Sequence, residues 1–97
     1  MKSRNYETMY IVHPELDSEE THSLMEKYKD LVNDLGGEVT GLDDWGMRRL
    51  AYEIDDLREG YYVIMQYMAD RSITDELERR IRLDDSIMRM ITTREDE

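Results

Sequence analysis

The side chains able to do chemistry in this 97-residue chain are few in kind. His13 and His22 are the only histidines, and no serine and carboxylate are spaced to form a nucleophile, base and orienting group with either. No catalytic residue is assigned: His13 reads as a loop residue beside Pro14 and His22 as an exposed residue of a helix. Three acidic pairs, Asp43-Asp44, Asp55-Asp56 and Asp84-Asp85, could offer hard oxygen ligands, but none stands in a D-x-D-x-D-G loop with a closing glutamate. They read as turn formers, and no metal and no cofactor is expected. The absence of cysteine removes disulfides, thiolate metal sites and cysteine nucleophiles together.

Arginine and tyrosine remain. Arginine outnumbers lysine ten to three, so the positive charge is mostly the planar, bidentate kind that suits phosphate and base recognition. Arg4, Arg48, Arg49 and Arg89 draw interest because they fall on strand patterns. Singly, each reads as a solvated arginine, and Lys2 is a weaker addition. Gly60-Tyr61-Tyr62-Val63 echoes the aromatic strand of an RNA recognition motif, but the spacing is off by one residue and no lysine or arginine immediately precedes Gly60. The preferred reading puts Tyr62 in the core, with Tyr61 and Tyr67 covering the sheet.

The elements that would position these residues follow from periodicity. Arg4 to Val12 alternates as a strand, with Tyr6, Thr8, Tyr10 and Val12 on one face and Glu7, Met9 and Ile11 on the other. His13-Pro14 ends it, because Pro14 cannot donate to a ladder. Asp17 stands three residues before Glu20, the spacing of a capping box. The helix it opens carries Leu24, Tyr28, Leu31, Val32 and Leu35 as one apolar stripe and stops at Gly36-Gly37. A second strand begins at Glu38, with a bulge or bend expected near Gly41 because Val39 and Leu42 differ in parity. It resumes as Leu50, Tyr52 and Ile54 on a dry face, and a polar break over 55–60 separates it from a strand over 61–68. Ser72, with Asp75 three residues on, is expected to cap a second helix whose inner stripe is Ile73, Leu77 and Ile81. Ser86 to Thr93 supplies the last strand.

That order, with right-handed crossovers, predicts an α+β ferredoxin-like β-α-β-β-α-β two-layer sandwich with strands one and three central. One domain over 1–97 is expected, with a short acidic tail from about 94 to 97, and burial of ~65% of the unfolded surface. Two helices cover only one face of such a sheet. The open face would carry Met9, Ile11, Val63, Met65 and Tyr67, which implies a partner surface.

Trp45-Gly46-Met47-Arg48-Arg49-Leu50-Ala51-Tyr52, followed by Glu59-Gly60-Tyr61-Tyr62, resembles the G-x-R-x-L-A-Y hairpin of the bacterial small ribosomal subunit protein six family. Arg4-Asn5-Tyr6-Glu7 through Leu16 is similar to that family's opening strand and its proline-containing exit. Glu76 to Arg79 and Ser86 to Arg89 resemble its second helix and its last strand. The resemblance implies a structural, non-enzymatic constituent of the small ribosomal subunit that binds ribosomal RNA of the central domain together with small-subunit protein eighteen. Carried over residue by residue, it makes Arg4, Arg48, Arg49 and Arg89 the RNA- or partner-binding candidates. The chain departs from the pattern at Glu53, where relatives often have proline, at Met88, where some have arginine, and in its short tail.

Charge runs against a lone RNA binder: 24 acidic residues against 13 basic give a formal net charge of -11. A basic partner that supplies most of the phosphate-neutralising charge reconciles the two, and weak binding by the isolated chain is expected. The acidic, lysine-poor composition also matches adaptation to molar salt. No apolar run approaches the ~20 residues of a membrane span and no leader opens the chain, so a soluble cytoplasmic protein without membrane or small-molecule partner is expected. The competing readings are a free-standing homodimeric ferredoxin-like module that binds a ligand or regulates an enzyme, and a single-strand RNA binder working through Tyr61 and Tyr67.

Overall fold

The computed structural model describes residues 3–95; the weak candidate Lys2 and the last two residues of the acidic tail lie outside them. The elements are β1 (Arg4–Val12), α1 (Ser18–Asp34), β2 (Glu38–Ile54), β3 (Leu57–Ala69), α2 (Arg71–Arg82) and β4 (Ile87–Arg94). All strand pairs are antiparallel, in the order β2-β3-β1-β4. This is the expected split β-α-β sandwich, with β1 and β3 in the centre.

Local chemistry sets the ends of the helices. Asp17 accepts the Glu20 amide at 2.8 Å while the Glu20 carboxylate accepts the Asp17 amide at 3.0 Å, the reciprocal capping box read from the sequence. At the other end of α1, Gly36 takes φ +104°, and the amides of Gly36 and Gly37 donate back to Asn33 and Val32. That Schellman closure needs a left-handed residue, which glycine supplies without a Cβ clash. For α2 the cap is not Ser72 but Asp70, whose carboxylate accepts the amides of Ser72 and Ile73. An ionised oxygen is the stronger acceptor, and the Ser72 hydroxyl itself donates to Asp70.

The core lies between the sheet and the two helices. Tyr10, Val12, Val63, Met65 and Tyr67 from the strands meet Leu24, Tyr28 and Val32 of α1 and Ile73, Leu77 and Ile81 of α2. Tyr10 and Tyr28 pack edge to face with centroids 5.9 Å apart, and Tyr6 stacks on Tyr67 at 5.8 Å. Two of these tyrosines find partners for their polar tips: Thr8 Oγ1 lies 2.9 Å from both the Tyr67 hydroxyl and Thr92 Oγ1, and the Tyr28 hydroxyl donates to Asp84 at 2.5 Å, while the Tyr10 hydroxyl is buried without one.

Four expectations are corrected here. Val63, Met65 and Tyr67 do not cover the open face; they are fully buried beneath the helices. Opposed residues of an antiparallel ladder share a face, and the register pairs Met9 with Ile64 and Ile11 with Tyr62, so β3 shows Tyr62, Ile64 and Gln66 on the open side. Tyr62 is consequently not a core residue. The break between β2 and β3 is only Asp55-Asp56, both at positive φ (50° and 66°), and β3 starts at Leu57. That is the backbone of a two-residue type I′ hairpin. Asp43-Asp44 forms no turn either; both residues lie in β2, opposite Ile64 and Val63.

The bend expected near Gly41 is present as a register shift between Val39 and Gly41, with further shifts between Asp44 and Gly46 and between Arg49 and Ile54. These irregularities bend a 17-residue edge strand. Its far end comes over the open face, so that a groove there is walled by Leu50, Tyr52 and Ile54 on one side and Met9, Ile11 and Ile91 on the other.

Candidate nucleic-acid interface

The open face combines an apolar floor with two arginines held over aromatic rings. Ile11 and Ile64 are buried although neither belongs to the helix-side core, and Tyr62 lies between them and the groove wall. The close fit of Gly60 explains part of this burial: a Cβ there would stand 2.2 Å from Ile11 Cγ2, so only glycine lets the Ile11 side chain lie flat across β3. Tyr52 remains 58% exposed and Ile91 47% exposed, a water-facing apolar rim that a folded chain tolerates best where something docks.

Arg89 projects from β4, opposite Ile11, and its guanidinium sits 5.4 Å from the centroid of Tyr52. β2 and β4 are the two outer strands of the sheet, so this contact spans the whole face. Arg48 lies opposite Gly60, on the same face; its Nε donates to the Trp45 carbonyl at 3.1 Å and its guanidinium stands 5.8 Å from the indole. Such cation–π contacts contribute roughly 0.5–1 kcal/mol at exposed sites. Beyond that Arg48 Nε bond, neither guanidinium makes a hydrogen bond among the described residues. Among the described residues neither arginine has a carboxylate within 4 Å.

Of the four arginines singled out from the sequence, only Arg48 and Arg89 lie on the open face. Arg49 is opposite Glu59 and therefore on the other face of β2. Arg4 begins β1 seven residues before Ile11, roughly 23 Å along the strand, and points toward α2 instead. Sequence reading missed the aromatic partners, Trp45 and Tyr52, both about half exposed. A signal existed for Trp45: the Gly46 beside it marks a bulge, and a bulge lets residues three apart share a face.

The tyrosines once weighed as base-stacking groups are engaged elsewhere. Tyr67 is in the core, where burial raises its pKa. Tyr61 is half buried, and the Asp44 carboxylate beside its hydroxyl, with some burial, pushes its pKa up to about 12. No group of three His, Asp or Glu side chains is placed to hold a metal among the described residues, and no helix is long and apolar enough to cross a membrane.

Comparison with known proteins fits this geometry. Residues 5–94 match the family model described as "Ribosomal protein S6". The chain is 53% identical over 93 residues to a small ribosomal subunit protein bS6 of Carboxydothermus hydrogenoformans, covering 96% of this chain and 97% of the relative. A bS6 of Desulforamulus reducens is 50% identical over 94 residues, covering 97% of this chain and 99% of its own length. The crystal structure of 30S ribosomal protein S6 from Thermotoga maritima superposes with a TM-score of 0.92 at 33% identity, over 98% of this chain and 90% of that one. On sequence and on fold together, the chain belongs to the ribosomal protein S6 family, structural and non-enzymatic proteins of the small ribosomal subunit.

Proposed function

We propose that this protein binds small-subunit ribosomal RNA as a heterodimer with small-subunit protein eighteen, and that Arg4, Arg48, Arg49 and Arg89 supply its RNA or partner contacts. The observation that carries the reading is the open face, where Arg48 and Arg89 are stacked on Trp45 and Tyr52 beside an apolar groove. A groove of that kind suits a protein surface, and guanidinium groups without a carboxylate partner suit phosphate. The rest of the chain is too acidic to bind RNA alone, at a net charge of -11. A basic partner is attracted by that charge and brings the cations the chain lacks.

The reading as a base-stacking RNA binder loses its basis with Tyr67 buried in the core. The homodimeric ligand-binding module called for a concave site lined by polar groups where two copies meet, and on the open face the groove is largely apolar, lined by Met9, Ile11, Leu50, Tyr62 and Ile91 with Arg89 as its charged member.

The test is filter binding of a central-domain RNA fragment by the isolated chain and by the purified heterodimer. Binding is expected to be weak for the chain alone and strong for the pair, and R48Q/R89Q is expected to weaken the pair. Tight binding by the isolated chain with a steep salt dependence contradicts the proposal, as does a pair that gains nothing over the chain.

A further inference from the structure

We infer that two copies of this chain pair edge to edge through β4, antiparallel about Thr92, so that Arg89 of each copy meets Glu95 of the other. β2 and β4 form the two edges of the sheet. β2 is blunted by three register shifts, whereas β4 runs without one from Arg89 to Arg94 against β1. It carries no proline and no lysine, the usual devices against edge pairing. The helices leave it open as well: a groove of about 300 Å³ runs beside β4, lined by Ile81, Arg82, Met88 and Met90. The Glu95 amide donates to the Asn5 carbonyl at 2.8 Å, which makes Asn5 and Glu95 a hydrogen-bonded pair. In an antiparallel ladder such pairs alternate with ones whose N–H and C=O groups point away from each other. Met90 and Thr92, opposite Tyr10 and Thr8, therefore turn theirs toward the outer side of β4.

A second copy is the occupant this edge calls for. Arg89 has no carboxylate and Glu95 no base within 4 Å among the described residues. Both fall on the open-face parity of β4, and roughly 20 Å of extended strand keeps them apart within one copy. Glu95 lies instead beside the Glu7 carboxyl, which with some burial raises its pKa. One chain thus sets two acids together and leaves a base alone on the same side of the sheet. A twofold axis through Thr92 answers both needs twice, because residues equally spaced on either side of it fall opposite each other. Arg89 exchanges its place over the Tyr52 ring for a charge-assisted hydrogen bond. The backbone agrees with this register, since Thr92 then faces its own copy and both offer N–H and C=O outward. The two half-exposed Ile91 side chains become diagonal neighbours on one face. Centred on Ile91 instead, the same edge would set Arg89 opposite Thr93 and leave the charges unpaired. β4 carries no acidic residue in a chain that has 24, so the copies meet where their like charge is lowest.

The experiment is sedimentation equilibrium of the purified chain, without protein partner or RNA, over a concentration series. At ~0.15 M salt the Debye length of about 8 Å screens repulsion between the two acidic bodies more than it screens the contact pairs. A reversible monomer–dimer equilibrium is expected. R89E and E95R, each alone, are expected to weaken it about tenfold or more, as two cross-strand pairs become repulsive, and R89E/E95R is expected to return it close to the wild-type constant. T92P removes the outward N–H at the axis without removing a β1–β4 backbone hydrogen bond, and is expected to abolish the dimer. T92V, which loses only the hydroxyl shared with Thr8, should keep it. Melting curves establish that each variant folds. A wild-type chain that is monomeric throughout overturns the inference. So does a dimer indifferent to R89E, E95R and T92P, which places the contact on another surface, and so do single variants that weaken the dimer with no recovery in R89E/E95R. The heterodimer reading is independent of each result, since neither partner nor RNA is present.

Discussion

At the scale of single residues, the arginines and tyrosines carry the functional argument, and their chemistry was plain in the sequence while their direction was not. Arg48 and Arg49 are adjacent, yet one joins the open face and the other leaves it, because strand neighbours point to opposite sides. Gly60 shows how tightly that face is fitted. G60A brings a methyl group onto Ile11 and is expected to destabilise the fold by about 1–3 kcal/mol. In the I11A background the same change should cost at least about 1 kcal/mol less, since the obstructing methyl is gone; chemical denaturation of the four-member cycle decides this, and additivity would refute the contact. The tyrosines make a second prediction. Burial raises the pKa of Tyr10, Tyr28 and Tyr67, with an added hydrogen bond from Tyr28 to Asp84, while the neighbouring Asp44 carboxylate raises Tyr61 to about 12. A phenol whose pKa is raised in the fold stabilises it fully below its unfolded value of about 10 and loses that contribution as pH climbs toward the folded value. Stability should therefore be flat in these groups up to about pH 10 and fall above it, with the corresponding tyrosinate absorbance appearing only as circular dichroism is lost. Four early-titrating tyrosinates in a still-folded chain would contradict the burial.

At the scale of elements, hydrophobic period and cap chemistry made both helices legible, and the Asp17–Glu20 box is present as read. Where two caps competed, Asp70 prevailed over Ser72. D70A is expected to cost about 1 kcal/mol, whereas S72A, which leaves the Asp70 bonds to two backbone amides intact, should cost under about 0.5 kcal/mol. Thermal melts of the two variants in that order support the assignment, and the reverse order refutes it. Strands were legible as strands but not in register. Alternation tells which residues of β3 share a face, not which face it is, because both faces of this strand are apolar: Val63, Met65 and Tyr67 on one, Tyr62 and Ile64 on the other. The register is fixed by the turn, and that turn places two aspartates at positive φ, where glycine or asparagine is the usual signal. Without that cue the hairpin break was read too long and the open face was given the wrong half of β3. Of the three register shifts of β2, the one at Gly41 shows in the sequence as a change of apolar parity and the one at Gly46 only as a glycine, while that between Arg49 and Ile54 has no such mark. The same shifts blunt a long edge strand against pairing with other chains.

At the scale of the whole molecule, the question is how a chain with 11 surplus negative charges stays folded and finds RNA. The described ion pairs are mostly short-range and exposed, such as Glu76 with Arg79 and Arg80 at 2.8 and 2.7 Å and Glu53 with Arg58 at 3.0 Å; each contributes about 0–1 kcal/mol. Pairing every base with an acid still leaves the surplus, spread over a body 41 Å long. It also includes Asp34 in the last turn of α1, where there is no base and the helix dipole opposes a negative charge. Salt acts on both terms. It weakens the pairs, but over contact distances of 3–4 Å that loss is small, while the long-range repulsion lies beyond the Debye length of ~10 Å at 0.1 M and is nearly removed at ~3 Å in 1 M. Repulsion has the longer reach and the larger count, so screening should stabilise the fold. The thermal midpoint is expected to rise by several degrees between low salt and molar KCl, in a single cooperative transition if residues 1–97 form one domain. D34K should raise the low-salt midpoint and shrink the salt-induced gain. A midpoint that stays flat or falls with KCl would mean that the local pairs dominate and that the acidic surface brings no net repulsive cost. In that case the negative charge could not be read as strain relieved by docking a basic partner.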